Sequence, residues 1–99
     1  MKSISIYEFK AKIETDKDAI IVDVRSPEEE VEGIIENSLR INIMEPSFPA
    51  KVMDLDKSKC YYVYCRSGGR SASACMYMEK LGLNAINVEG GIMAWNQIS

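Results

Sequence analysis

Two short runs restrict this chain most: AIIV at positions 19–22, continuing into Asp23-Val24, and YYVY at 61–64. A strand with one wet face alternates apolar and polar residues. A run apolar at consecutive positions is a strand covered on both faces. Both runs are β-branched or aromatic and too short for a buried helix, so both read as interior strands.

Helix signals alternate with these strands. Ile4–Ser5 is a short strand candidate, and Ser5 followed by Glu8 has the spacing of a capping box. That cap opens a helix with Ile6, Phe9 and Ile13 on one side. Ser26-Pro27-Glu28-Glu29 reads as another start, with Ser26 capping, Pro27 in the first turn, Glu29 completing a capping box and Gly33 as the stop. Glu28, Glu29, Glu30 and Glu32 then suit the helix dipole and read as a solvated face. Residues 38–43 hold a brief strand candidate, and 50–55 a short helix after an irregular stretch with Pro46 and Pro49. A helix is expected over 71–81 with Gly82 as its stop, a last strand over 85–88, and a turn at Gly90-Gly91. A final helix over 92–97 turns Ile92 and Trp95 to the core.

The expectation is an α/β fold: a mostly parallel central sheet of about five short strands with helices on both faces. Its 99 residues suffice for one domain, 1–99, around one sheet. Ligands in such sheets gather beyond the carboxyl ends of the strands. Asp23-Val24-Arg25, Cys65 and Gly90-Gly91 all follow strands there.

Charge narrows the ligand. The net charge of −3 argues against nucleic acid as a partner. No apolar run approaches a membrane span, and MKSISIYEFK lacks the pattern of a secretory signal, so a cytoplasmic protein without a membrane partner is expected. Between Lys57 and Met78 stand Lys57, Lys59, Arg66 and Arg70 and no carboxylate, a local positive stretch suited to a small anion. Three cysteines (Cys60, Cys65, Cys75) and no histidine make neither a disulfide framework nor an ordinary metal site, so no metal or cofactor is called for. Cys60 and Cys75 read as packing residues, with a disulfide-forming, resolving role toward Cys65 as the alternative.

Cys65 is different. CRSGGRS follows a strand and leads into a helix, so unpaired backbone N–H groups face whatever sits before it. Gly68 and Gly69 let the backbone curl into an anion-binding nest, and Arg66 and Arg70 add positive charge. Ser67 and Ser71 can donate hydroxyl hydrogen bonds or cap the helix. Cysteine reacts as the thiolate, and these features lower its pKa. Without histidine, Cys–His acyl transfer is excluded. Sulfur transfer needs no general base once the thiolate exists.

At these residues the chain resembles a single-domain rhodanese, a sulfurtransferase. IVDVRSPEEEVEGIIENSLRINI resembles the family's first signature, YVYCRSGGRSASACMYMEKLGL its active-site loop with flanking strand and helix, and VEGGIMAW its closing segment. The resemblance implies that Cys65 carries a persulfide and that Arg66, Ser67, Gly68, Gly69 and Arg70 form a cradle with backbone N–H groups on the sulfur. It also implies that Asp23 and Arg25 lie near the loop, where an ion pair tying strand ends is the plainer role. Implied partners are a small anionic sulfur donor such as thiosulfate or a low-molecular-weight persulfide, and as acceptor cyanide, a thiol or a protein. The family often has Gly-His-Ile-Pro-Gly-Ala where this chain has Gly33-Ile34-Ile35-Glu36-Asn37-Ser38.

Two other classes use related loops. Tyrosine phosphatases and arsenate reductases set a cysteine before an arginine, but phosphatase loops place five residues between them and Cys65 and Arg70 have four. The smaller ring suits one sulfur atom better than a phosphoryl group. Binding modules of the rhodanese family lack the cysteine that this chain retains.

Overall fold

The computed structural model describes residues 1–99. Its strands are β1 (Lys2–Ile4), β2 (Ala19–Asp23), β3 (Leu39–Arg40), β4 (Cys60–Tyr64) and β5 (Asn84–Val88), in the order β1-β5-β4-β2-β3. Every neighbouring pair is parallel. The α-helices are α1 (Ile6–Thr15), α2 (Phe48–Met53), α3 (Gly69–Lys80) and α4 (Gly91–Ile98). The expected α/β architecture is therefore the observed one, and the two uniformly apolar runs are central strands β2 and β4.

Side-chain alternation splits β4 between two cores. Tyr61 and Val63, with Cys65 just beyond, face one side with Phe48 and Val52 of α2 and Ala74, Cys75 and Met78 of α3. Tyr62 and Tyr64 face the other with Phe9 of α1 and Ile92 of α4. Trp95 packs on that second side, edge-on to Phe9 at 5.6 Å between ring centroids. Burying both faces of β4 is what makes its polar alternation disappear.

The helix starts divide on capping. Ser5 caps α1 as expected, its Oγ accepting the Glu8 N–H at 3.2 Å. Ser26 does not cap. Residues Pro27–Glu32 wind into a 3-10 helix rather than an α-helix, and the Ser26 side chain makes no cap bond. The Ser26 carbonyl instead accepts the Glu29 N–H at 3.1 Å. An i→i+3 bond closes the tighter turn that Pro27 permits, which removes the geometry a capping box needs. The stop at Gly33 holds, with φ +105 and its N–H on the Glu30 carbonyl. Other boundaries shift by one to three residues: the strand expected over 38–43 shortens to Leu39–Arg40, and the helix expected at 71 begins at Gly69.

Where the rhodanese pattern has glycine after proline, Asn37 takes φ +70. Asparagine is among the few residues that tolerate this region. Ile35, in the same segment, is buried beside Tyr64. Its N–H points at the Tyr64 hydroxyl at 3.3 Å, and Ser38 Oγ reaches the same hydroxyl at 2.9 Å. A tyrosine at the end of β4 thus anchors the segment. No helix in the protein is long and apolar enough to cross a membrane.

Candidate active site

Parallel register brings the two central strand ends level. Asp23 of β2 lies opposite Tyr64 of β4, and the Val24 N–H donates to the Tyr64 carbonyl at 3.1 Å. Asp23, Arg25 and Cys65 consequently emerge at the same carboxyl edge of the sheet.

Cys65 is buried at the floor of the loop. The Gly68 N–H donates to its Sγ at 3.1 Å, and Ser71 Oγ lies 3.4 Å from it. Burial opposes ionisation. The Ser71 hydroxyl and the backbone N–H groups of Ser71, Gly68 and Ser67 outweigh it and hold the thiol below its ordinary pKa. Each of those donors stabilises the anion more than the neutral thiol.

The two loop glycines are not equivalent. Gly68 has φ +119, a left-handed conformation that turns its N–H back to the sulfur. Gly69 is already the first residue of α3, and a Cβ there would meet nothing within 4 Å. Only Gly68 is needed for the turn, a correction to the expectation that both are.

Ser71 is fixed by a residue that the sequence did not reveal. Asn87 of β5 is buried, its Oδ1 2.6 Å from Ser71 Oγ and its Nδ2 3.4 Å from the Gly68 carbonyl. The signal available was one amide in an apolar strand, NAINV. Its partner lies 16 residues away in the chain, so no local pattern exposed it.

Asp23 and Arg25 form a buried bidentate pair: Nε–Oδ1 is 3.0 Å and Nη2–Oδ2 is 2.9 Å. Burial works against the arginine's charge and Asp23 more than offsets it. Arg25 also donates to the Glu29 and Gly33 carbonyls at 3.2 and 2.9 Å, and its guanidinium carbon lies 5.4 Å from the Tyr64 ring centroid. This pair ties β2 to the 3-10 turn and makes no hydrogen bond to the sulfur. A polar cleft of about 260 Å³ opens beside it, lined by Arg25, Pro27, Arg40, Asn42, Glu45 and Lys51, and excludes the Cys65 loop.

The glutamates correct the solvated-face expectation. Glu29 Oε2 pairs with Arg70 Nη2 at 2.9 Å, Glu32 Oε2 with Arg66 Nε at 2.9 Å, and Glu30 with Arg40. The two arginines of the cationic stretch are thus met in space by carboxylates from the 3-10 turn, while Lys59 pairs with Asp18. Arg66 and Arg70 hydrogen-bond the turn's acids and not the sulfur, which Arg70 feels only through its charge, so backbone and hydroxyl donors lead in stabilising the thiolate.

The closing glycines also belong here. A Cβ on Gly91 would fall 2.3 Å from the Cys65 carbonyl oxygen. Its absence lets α4 dock end-on, with Ile92 N–H on the Cys65 carbonyl at 2.9 Å and Met93 N–H on the Arg66 carbonyl at 3.2 Å. Cys75 is deeply buried in α3, and burial, with Glu79 adding to it, pushes its pKa up to about 12. It stays a thiol at neutral pH, in keeping with packing.

A parallel sheet with a cysteine in a donor-lined loop between β4 and α3 defines a rhodanese-type domain. The chain belongs to the rhodanese-like domain family, whose model matches residues 5–98. It is 43% identical over 95 residues to YtwF of Bacillus subtilis strain 168, a match covering 96% of this chain and 90% of that one. A protein of Allochromatium vinosum named sulfurtransferase is 35% identical over 80 residues, with 80% and 73% covered. The crystal structure of a rhodanese-like domain protein from Staphylococcus aureus superposes with a TM-score of 0.85 at 41% identity, covering 96% of this chain and 91% of that one.

Proposed function

We propose that this protein is a Cys65-dependent sulfurtransferase that takes a sulfane sulfur from a small anionic donor. The observation that carries the reading is the convergence of the Gly68 N–H and the Ser71 hydroxyl on Cys65 Sγ, at 3.1 and 3.4 Å, with no histidine in the chain. Such a site makes a thiolate without a general base. With thiosulfate, the Cys65 thiolate attacks the outer sulfur and the S–S bond breaks. Sulfite leaves with the electron pair, and a persulfide remains. A nucleophilic acceptor (cyanide, a thiol or a protein) then takes the outer sulfur and returns the thiolate. In that second step the donors to Cys65 Sγ receive the charge as it returns to the thiolate.

Thiosulfate or a low-molecular-weight persulfide fits as donor because both present a sulfane sulfur on an anion. Ser67, Gly68 and Ser71 hold the sulfur. Arg66 and Arg70 at the rim meet the donor's charge, and Asp23 with Arg25 brace the turn behind them. Three free cysteines agree with a reducing, cytoplasmic setting.

Incubation with thiosulfate should add one sulfur to Cys65, seen by intact mass and peptide mapping, and cyanide or a thiol should remove it. Cys65→Ser should take up none. Absence of the adduct with thiosulfate and with glutathione persulfide would overturn the reading.

A further inference from the structure

Each loop arginine already holds a carboxylate, which an incoming anion must displace or share. The two pairs differ in kind. Arg70–Glu29 is the more enclosed, with side chains 32% and 26% exposed, and Glu29 holds the arginine firmly ionised. It sits where the 3-10 turn meets the first turn of α3, and it braces the loop. Arg66–Glu32 lies further out, at 52% and 36% exposure.

The geometry of this outer pair is incomplete. One N–H of Arg66, on Nε, reaches Glu32 Oε2, and the terminal nitrogens make no hydrogen bond within the protein. The second carboxylate oxygen, Oε1, is covered and has no partner. A covered acceptor without a donor is unfavourable, so swinging Glu32 outward recovers its hydration. The main chain of Glu32 stays in place meanwhile, because its carbonyl accepts from Asn96 Nδ2 at 2.8 Å. The pair is built to open at the side chain without disturbing the turn.

We infer that Glu32 is a specificity-determining residue, an internal carboxylate that competes with anionic sulfur donors for Arg66. The inference rests on the sulfur-transfer reading of Cys65. An anionic donor that uses Arg66 must displace Glu32, so its apparent affinity falls by the fraction of molecules in which Arg66 is free. A neutral reagent that reaches Cys65 has no need of Arg66 and escapes this penalty. The pair therefore weights the site against anions relative to uncharged donors of equal reactivity.

The test compares wild type with Glu32→Gln, Glu36→Gln, Arg66→Ala and the Glu32→Gln/Arg66→Ala double variant. Glu36 is exposed on the same segment and forms no ion pair, so its variant controls for net charge alone. Two readouts are taken: KM and kcat for thiosulfate with cyanide as acceptor, and the sulfate concentration that half-protects Cys65 from alkylation by uncharged iodoacetamide. Glu32→Gln should lower KM and the half-protecting sulfate concentration together, by roughly two- to fivefold, the size of an exposed ion pair. Its kcat and its alkylation rate without sulfate should hold. The shift should be absent in Glu36→Gln and should vanish when Arg66 is already alanine. Equal shifts in Glu32→Gln and Glu36→Gln, a shift that survives Arg66→Ala, or no shift in either readout would overturn the inference. Loss of thiosulfate turnover in every protein alongside the expected sulfate shifts would refute the sulfur-transfer reading and leave the carboxylate competition standing.

Discussion

At the scale of residues, the nucleophile depends on a hydroxyl as much as on the main chain. The single Ser71 proton has three acceptors within reach: Asn87 Oδ1 at 2.6 Å, the Gly68 carbonyl at 3.1 Å and Cys65 Sγ at 3.4 Å. The thiolate is the one that gains charge, so ionisation of Cys65 draws the proton to sulfur. Cys65 alkylation by iodoacetamide, followed against pH, should have its midpoint below the roughly 8.5 of a free cysteine. Thiolate is the reactive form and its fraction rises with pH, so a lowered pKa extends reactivity to more acidic solution. Ser71→Ala should move that midpoint upward while the persulfide site remains. An unmoved midpoint would show that the backbone donors suffice alone. The sequence made Cys65, Ser71 and the arginines legible because they share one loop. It hid Asn87 and Glu32 because each meets the loop only after the chain has folded.

At the scale of elements, the passage from β4 into α3 concentrates the backbone demands at one position. Gly68 carries φ +119, whereas Gly69 is helical with open space around a Cβ. Gly69→Ala should therefore raise stability by about 0.4–1 kcal/mol, since alanine has less freedom to lose on folding. Gly68→Ala should lower it by more than that. Urea unfolding of the two variants measures the contrast, and equal effects would place the strain elsewhere. From the sequence the pair looked uniform, because spacing shows that a turn is needed and not which residue makes it. The 3-10 turn teaches the same point. Ser26-Pro27-Glu28-Glu29 carries every local sign of a capped α-helix, yet Glu29 and Glu32 are drawn to Arg70 and Arg66 on a neighbouring element. The local pattern placed a helical turn there and did not show that its acids would face the loop arginines.

At the scale of the whole molecule, stability and chemistry occupy different parts of one sheet. Met78 of α3 is fully buried in a core with Val63, Leu83 and Ala85, on the side of the sheet that also holds Cys65. Met78→Ala should cost about 2–5 kcal/mol. In a domain of this size that lowers Tm by about 10 °C or more. Its folded form should still alkylate at Cys65 with the wild-type pH midpoint, because no donor to the sulfur is touched. A shifted midpoint would mean that the core sets the loop geometry directly. The parallel architecture was legible because burial of both sheet faces removes polar alternation from β2 and β4, a signal written into consecutive residues. The seating of α4 was not, because Gly90-Gly91 reads equally well as an ordinary turn.

That seating fixes the direction of dipoles as well as the position of a helix. In a trans peptide the C=O and the N–H of the next residue point in opposite directions. The α4 amides of Ile92 and Met93 draw the Cys65 and Arg66 carbonyls outward, away from the sulfur. The peptide N–H groups of Arg66 and Ser67 are thereby turned the other way, and the Ser67 N–H is one of those that stabilise the thiolate. The last helix of the chain thus sets the polarity of a loop it never lines, by accepting none of the sulfur's charge and orienting the groups that do.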